Sequence, residues 1–135
     1  MPTDPLVPEL QFADGVLARL HARAEVRYDE RAYLFLLAAI EFLQSRLEQR
    51  RHVTGQELCW ACRDLALERF GLLARTVLSC WQVRETTDFG RIVFALVDVG
   101  LLSTQPGDRL EDFEGVYDFV RAFDESYAPA WRPEG

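Results

Sequence analysis

The sequence predicts a mainly α domain of five to six helices, with a small β-hairpin or extended element and a winged-helix-like second half. Three observations predict it. Apolar residues recur at helical spacing through most of the stretch from Phe12 to Val99. Thr54-Gly55-Gln56-Glu57 has the pattern of a capping box, in which threonine and glutamate satisfy each other's backbone donors. From His52 to Phe119, three short helical segments lead into a glycine-punctuated extended stretch, the element order of a winged-helix module.

The elements follow in order. Residues 1–10, with prolines at positions 2, 5 and 8, form an irregular lead-in. A first helix is expected from Phe12 to Ala24, because Phe12, Val16, Leu17 and Leu20 share one face. Asp29 offers an N-cap and Glu30 an acidic first turn for a longer helix reaching about Gln49. Arg46, Arg50 and Arg51 then fall at its negative C-terminal end. In this helix Tyr33, Leu36, Leu37, Ile40, Leu43 and Leu47 make an apolar stripe, and Leu34, Phe35, Ala38 and Phe42 cover much of the opposite side. A helix apolar nearly all round must be covered all round, by the rest of the chain or by a second copy in a homodimer.

The third helix runs from the Thr54 cap to about Phe70 and stops at Gly71. A fourth, from Leu72 to Trp81, places Leu73, Val77 and Trp81 at i, i+4 and i+8. A fifth runs from Thr87 to Val99 and is stopped by Gly100. Gln105-Pro106-Gly107-Asp108 reads as a turn. Beyond it Phe113, Val116, Tyr117, Val120 and Phe123 fit a helical face, while Glu114-Gly115 can equally turn a short hairpin; short extended pieces around the turn and a helical turn near 119–126 are favoured. The tail from Pro129 is irregular, which leaves a single globular domain over 11–128.

A chain of 135 residues fits one domain and buries roughly two-thirds of its unfolded surface, enough for a core without staples. Its net charge of −7 divides into −3 over residues 1–45, +2 over 46–91 and −6 over 92–135. An acidic total argues against non-specific nucleic-acid binding, whose affinity comes mostly from neutralising phosphates. All fifteen basic residues are arginine, leaving no lysine for Schiff-base chemistry or a P-loop. The N-terminus lacks a signal-peptide pattern, and the apolar run from Ala32 to Ile40 is far short of the roughly 20 residues that span a bilayer. A cytoplasmic protein with no membrane partner is expected.

The sharpest chemical pattern is Cys59-Trp60-Ala61-Cys62. As a redox pair it would need a helix N-terminus in a βαβ setting, yet Cys59 lies more than a turn inside its helix. Both thiols share that helix's apolar side with Leu58, Leu65 and Ala66, so core packing is the expected role. A zinc set of His52, Cys59, Cys62 and Cys80 lacks the paired-knuckle spacing of structural sites. His21 and His52 are the only histidines, and no motif ties His52 to a Ser or Cys nucleophile. Asp108, Glu111, Asp112, Glu114 and Asp118 cluster near the turn, miss the EF-hand spacing, and read as a solvated face. No catalytic, metal or cofactor residue is assigned.

The helix from Thr87 to Asp98 would be the DNA-reading helix of a winged helix. Its polar positions include two acids and one arginine, a poor match to phosphates. The candidate partner-binding residues are therefore Arg46, Arg50, Arg51 and His52, an arginine-rich helix end suited to carboxylates, together with Asp118 in the acidic region 108–118. The two patches can also pair with each other inside the fold.

Arg51-His52-Val53-Thr54-Gly55-Gln56-Glu57-Leu58, Asp88-Phe89-Gly90, Gly100-Leu101-Leu102, and Asp112-Phe113 with Val116-Tyr117-Asp118-Phe119 together form a recognisable set. It resembles an uncharacterised family of short bacterial proteins of about this length, over nearly the whole chain after the first ten residues. The resemblance implies a bacterial, single-domain protein; the family has no assigned activity, so no catalytic residue carries over. The expected function is a non-enzymatic interaction or regulatory module with an unknown protein partner. The alternatives are a divergent nucleic-acid-binding winged helix and an enzyme with a site of carboxylates and His52.

Overall fold

The computed structural model describes residues 15–23 and 28–125. Five α-helices lie within them: α1 (Val16–Arg23), α2 (Glu30–Gln44), α3 (Gly55–Phe70), α4 (Ala74–Cys80) and α5 (Thr86–Asp98). A 3-10 turn, Gly71–Leu73, joins α3 to α4, and a C-terminal strap carries a second 3-10 turn, Leu110–Phe113, and a π-helical turn, Val120–Glu125. The expected lead-in 1–10, the start of the first helix at Phe12 and the tail from Pro129 lie outside the described residues.

The core is α2 laid against α3 and α5, with α1 on α5 and α4 on α3. Tyr33, Leu36 and Leu43 of the α2 stripe are buried, as are Ala32, Phe35 and Ala39, and no apolar side chain of α2 is exposed. Leu34, Leu37, Ala38, Ile40 and Phe42 of the same helix are half-buried within one copy of the chain. Asp29 caps α2 by accepting from the Arg31 N–H at 2.9 Å, as expected. The helix ends at Gln44 rather than Gln49, so Arg46, Arg50 and Arg51 lie beyond its last turn. Ser45 turns its hydroxyl back to the Phe42 carbonyl at 2.7 Å, a local bond that competes with helix continuation.

The capping box at Thr54 forms as expected: Thr54 Oγ1 accepts from Glu57 N at 3.1 Å and Glu57 Oε1 from Thr54 N at 2.9 Å. After α5, Gly100 takes φ +85° and lets Leu101 N reach back to Leu96 O at 2.9 Å, a glycine-dependent helix stop.

The small hairpin or extended element expected near the turn forms no β-structure: the described residues contain no β-strand. Side chains take the place of a partner strand there. Asp108 Oδ2 accepts from Gln105 N at 2.8 Å, and Asp112 Oδ2 from Arg109 N at 3.1 Å. Without strands among the described residues no wing is formed there, so the likeness to a winged helix ends at helix order.

The strap is fastened across α3 and α5 instead. Thr86 Oγ1 donates to Phe113 O at 2.6 Å and accepts from Val116 N at 3.2 Å. Tyr117 donates its hydroxyl to Cys59 O at 2.7 Å, and Phe119 packs on Phe89 with ring centres 5.7 Å apart. Phe113 is buried against two helix glycines: a Cβ on Gly90 would stand 2.7 Å from its ring, and one on Gly55 3.0 Å. Three of the segments singled out by sequence, around Thr54-Gly55, Asp88-Phe89-Gly90 and Asp112-Phe113, therefore meet at a single junction.

Candidate functional site

The link from α2 to α3 is pinned at both ends. Gln44 donates Nε2 to Arg51 O at 2.6 Å and accepts from Arg51 N at 3.2 Å, which docks the link on the end of α2. Arg51 then spreads its guanidinium over both oxygens of Glu57, at 3.1 and 2.8 Å, and also donates to His52 O at 2.8 Å. Glu57 thus serves the cap and the arginine together. The forked bond from Arg51, with the Thr54 N–H, holds its carboxyl below the ordinary glutamate range despite partial burial.

From this link His52 reaches the strap, its Nε2 lying 3.0 Å from Asp108 Oδ1. Beside that contact opens a cleft of about 300 Å³ between α2, α3, α5 and the strap. Ile40, Leu58, Val93, Phe94, Leu102 and Phe113 form its apolar floor, all buried or half-buried. Arg51, His52, Ser103, Thr104, Asp108 and Arg109 stand at its rim.

Of the five residues expected to bind a partner, the cleft brings together Arg51 and His52. Arg50 lies outside it, paired with Glu41 at 2.9 Å in a contact where both side chains are more than two-thirds exposed. Arg46 turns inward: it meets Asp64 Oδ2 at 2.9 Å and stacks 4.5 Å over the Phe42 ring. Asp64 is buried and also takes the Arg63 guanidinium at 3.1 and 2.9 Å, so this group braces the fold. Asp118 accepts from Arg121 N at 3.2 Å at the start of the π-helical turn, away from the cleft. The arginine and acidic regions meet at His52–Asp108, while Arg46, Arg50 and Arg51 turn to carboxylates of α2 and α3.

Cys59 and Cys62 are free and buried in α3, where burial pushes both thiols up and away from the reactive thiolate; Cys80 is exposed. No three His, Cys, Asp or Glu side chains are grouped as metal ligands among the described residues.

Asp88, read from sequence as an acid on a DNA-facing helix, is instead a buried hub. It accepts from Tyr28 Oη at 2.5 Å, from Arg91 at 2.9 Å, and from the Arg84 and Glu85 N–H groups at 2.9 and 3.2 Å. Arg91 is committed to that hub, and Thr86 to Gly90 are all buried, so α5 does not present a reading face. Asp108 and Arg109 at the rim were not separable from the other turn charges by sequence, because the contact with His52 spans 56 positions.

Comparison of the chain with protein-family models, curated proteins and solved structures finds no match. No described helix is long and apolar enough to cross a membrane.

Proposed function

We propose that the protein is a non-enzymatic interaction module, acting in the cytoplasm, whose docking face is the corner where α2 ends and α3 begins. The observation that carries this reading is the pinned link: Arg50, Arg51 and His52 are consecutive on a segment held by Gln44 at one end and by the capping box at the other. A backbone so fixed has little ordering cost left on binding, so only the side chains must be ordered. The exposed Arg50–Glu41 pair is weak in water, so a partner's carboxylate can replace Glu41 at small cost. The partner is accordingly a protein that presents acidic side chains.

The test is charge reversal. In a quantitative binding assay, Arg50→Glu with Arg51→Glu should remove the association, while Arg121→Glu at the far end of the strap should leave it in place. Unchanged binding by the double variant would refute the docking face. Self-association is proposed at a different face from α2: Leu72 and Leu73 are 78% and 63% exposed, and Leu72→Glu should abolish any dimer seen in sedimentation.

One observation favours a second reading. His52 meets Asp108 at the rim of a cleft, an arrangement that can orient a general base. That reading predicts a hydrolytic or proton-transfer activity lost in His52→Ala; a broad substrate screen giving the same background for both proteins would set it aside.

A further inference from the structure

The cleft under the strap has a composition that the docking corner does not use. Its floor is apolar and includes two aromatic rings, Phe94 and Phe113, in an edge-to-face pair at 6.3 Å. Its charged rim groups have partners of unequal strength: Arg51 forks onto Glu57, His52 meets Asp108, and Arg109 stands in a loose, exposed contact with Glu111 at 4.0 Å. Asp108 and Asp112 also take backbone N–H groups of the strap, and Gln44 spends both ends of its amide on Arg51. A charged ligand would have to compete with the Arg51–Glu57 fork or the His52–Asp108 contact, both less exposed than the Arg50–Glu41 pair.

What stays open is uncharged. Ser103 and Thr104 are exposed at the rim, and their hydroxyls make no hydrogen bond to another described residue. The cleft volume, about 300 Å³, lies at the small end of ligand sites. An apolar floor, a partnered rim and two free hydroxyls define one ligand class.

We propose that this cleft binds a small, uncharged aromatic molecule carrying a single polar group, its ring on Phe94 and Val93 and its polar tip at Ser103 and Thr104. The site stands beside the docking corner but does not depend on it, since it holds whether or not a protein partner binds Arg50 and Arg51. Because Arg51 and His52 belong to both, an occupied cleft would also fix the side chains that the corner presents.

Three small aromatic probes of different charge test it: phenol, benzoate and benzylammonium, titrated into the full chain and followed by amide chemical shifts. Phenol should bind saturably, in the millimolar range expected of so small a fragment, with shifts centred on Val53 to Gly55, Val93, Phe94 and 102–105. Benzoate and benzylammonium should bind at least tenfold more weakly. Val93→Phe, which fills the floor, should weaken phenol at least tenfold, and Thr104→Val, on the exposed rim, should weaken it severalfold without altering the fold. Scattered, non-saturating shifts with phenol, or benzoate binding the same residues as tightly, would overturn the proposal. Because none of these variants touches Arg50 or Arg51, failure here leaves the docking corner to be judged by its own charge reversal.

Discussion

Gly90 places a hydrogen against the Phe113 ring where any other residue would place carbon. Alanine is the better helix former by about 1 kcal/mol, so Gly90→Ala should stabilise α5 if the helix stood alone. A Cβ there would meet the Phe113 ring at 2.7 Å and Leu110 at 2.9 Å, and the ring is buried. Overpacking should win, with a net loss of about 1–3 kcal/mol in urea unfolding. Phe113→Ala alone should cost about 3–5 kcal/mol. In the double variant the two losses should not add, since the small side chain removes the clash. Simple additivity would show that the ring yields without cost. At the same scale, Glu57 carries a pH signature. Its carboxyl is held low in the fold, so the unfolded chain binds more protons in acid. The stability it supplies is present above the ordinary glutamate value of 4.5 and is lost as pH falls through the lower folded value. Glu57→Gln should lower stability at neutral pH and flatten the acid limb; an unchanged acid limb would show that the Arg51 fork contributes nothing.

Elements differ in how far sequence alone defines them. The limits of α3 were legible because both signals are local: Thr54 caps within three residues and Gly71 stops the helix. The early end of α2 was not: beside the local Ser45–Phe42 bond, it is fixed by Gln44 reaching Arg51, seven positions on. The strap's helical turn was legible near 119–126, but the small hairpin offered as an alternative before it was not borne out, for a similar reason. The strap's backbone is satisfied by Asp108, Asp112 and Thr86, and the last of these lies 27 to 30 positions away. Thr86 is therefore the test of the strap. Thr86→Val keeps the shape but leaves the Phe113 carbonyl and the Val116 N–H without their bond. It should cost about 1–3 kcal/mol and speed hydrogen exchange at Val116 more than at Leu96 in the core. Equal exchange at the two sites would mean that the strap opens only with the whole domain.

Over the whole molecule, buried phenols tie stability to alkaline pH. Burial pushes Tyr33 up to about 12; burial together with Asp88 carries Tyr28 beyond that, and burial also raises Tyr117. The native state keeps these protons after the unfolded chain begins to lose them near pH 10, so stability should fall as pH rises past that point. Tyrosine ionisation followed by absorbance should then track unfolding by circular dichroism. Reversible ionisation of all three with the helices intact would contradict their burial. The candidate site was half legible: Arg50, Arg51 and His52 stand out as a run, but Arg46 and Asp118 share that chemistry in sequence and are spent on the fold. The cleft was invisible, because its floor comes from α2, α3, α5 and the strap. The central claim is that the pinned Arg50–Arg51 corner docks an acidic protein partner. Its most direct test is a quantitative pull-down from the native cells with nuclease present, comparing the natural chain with the Arg50→Glu, Arg51→Glu variant. A reproducible protein partner held by the natural chain and lost by the variant is the predicted result. A partner held equally by both, or recovered only when nuclease is left out, would contradict it.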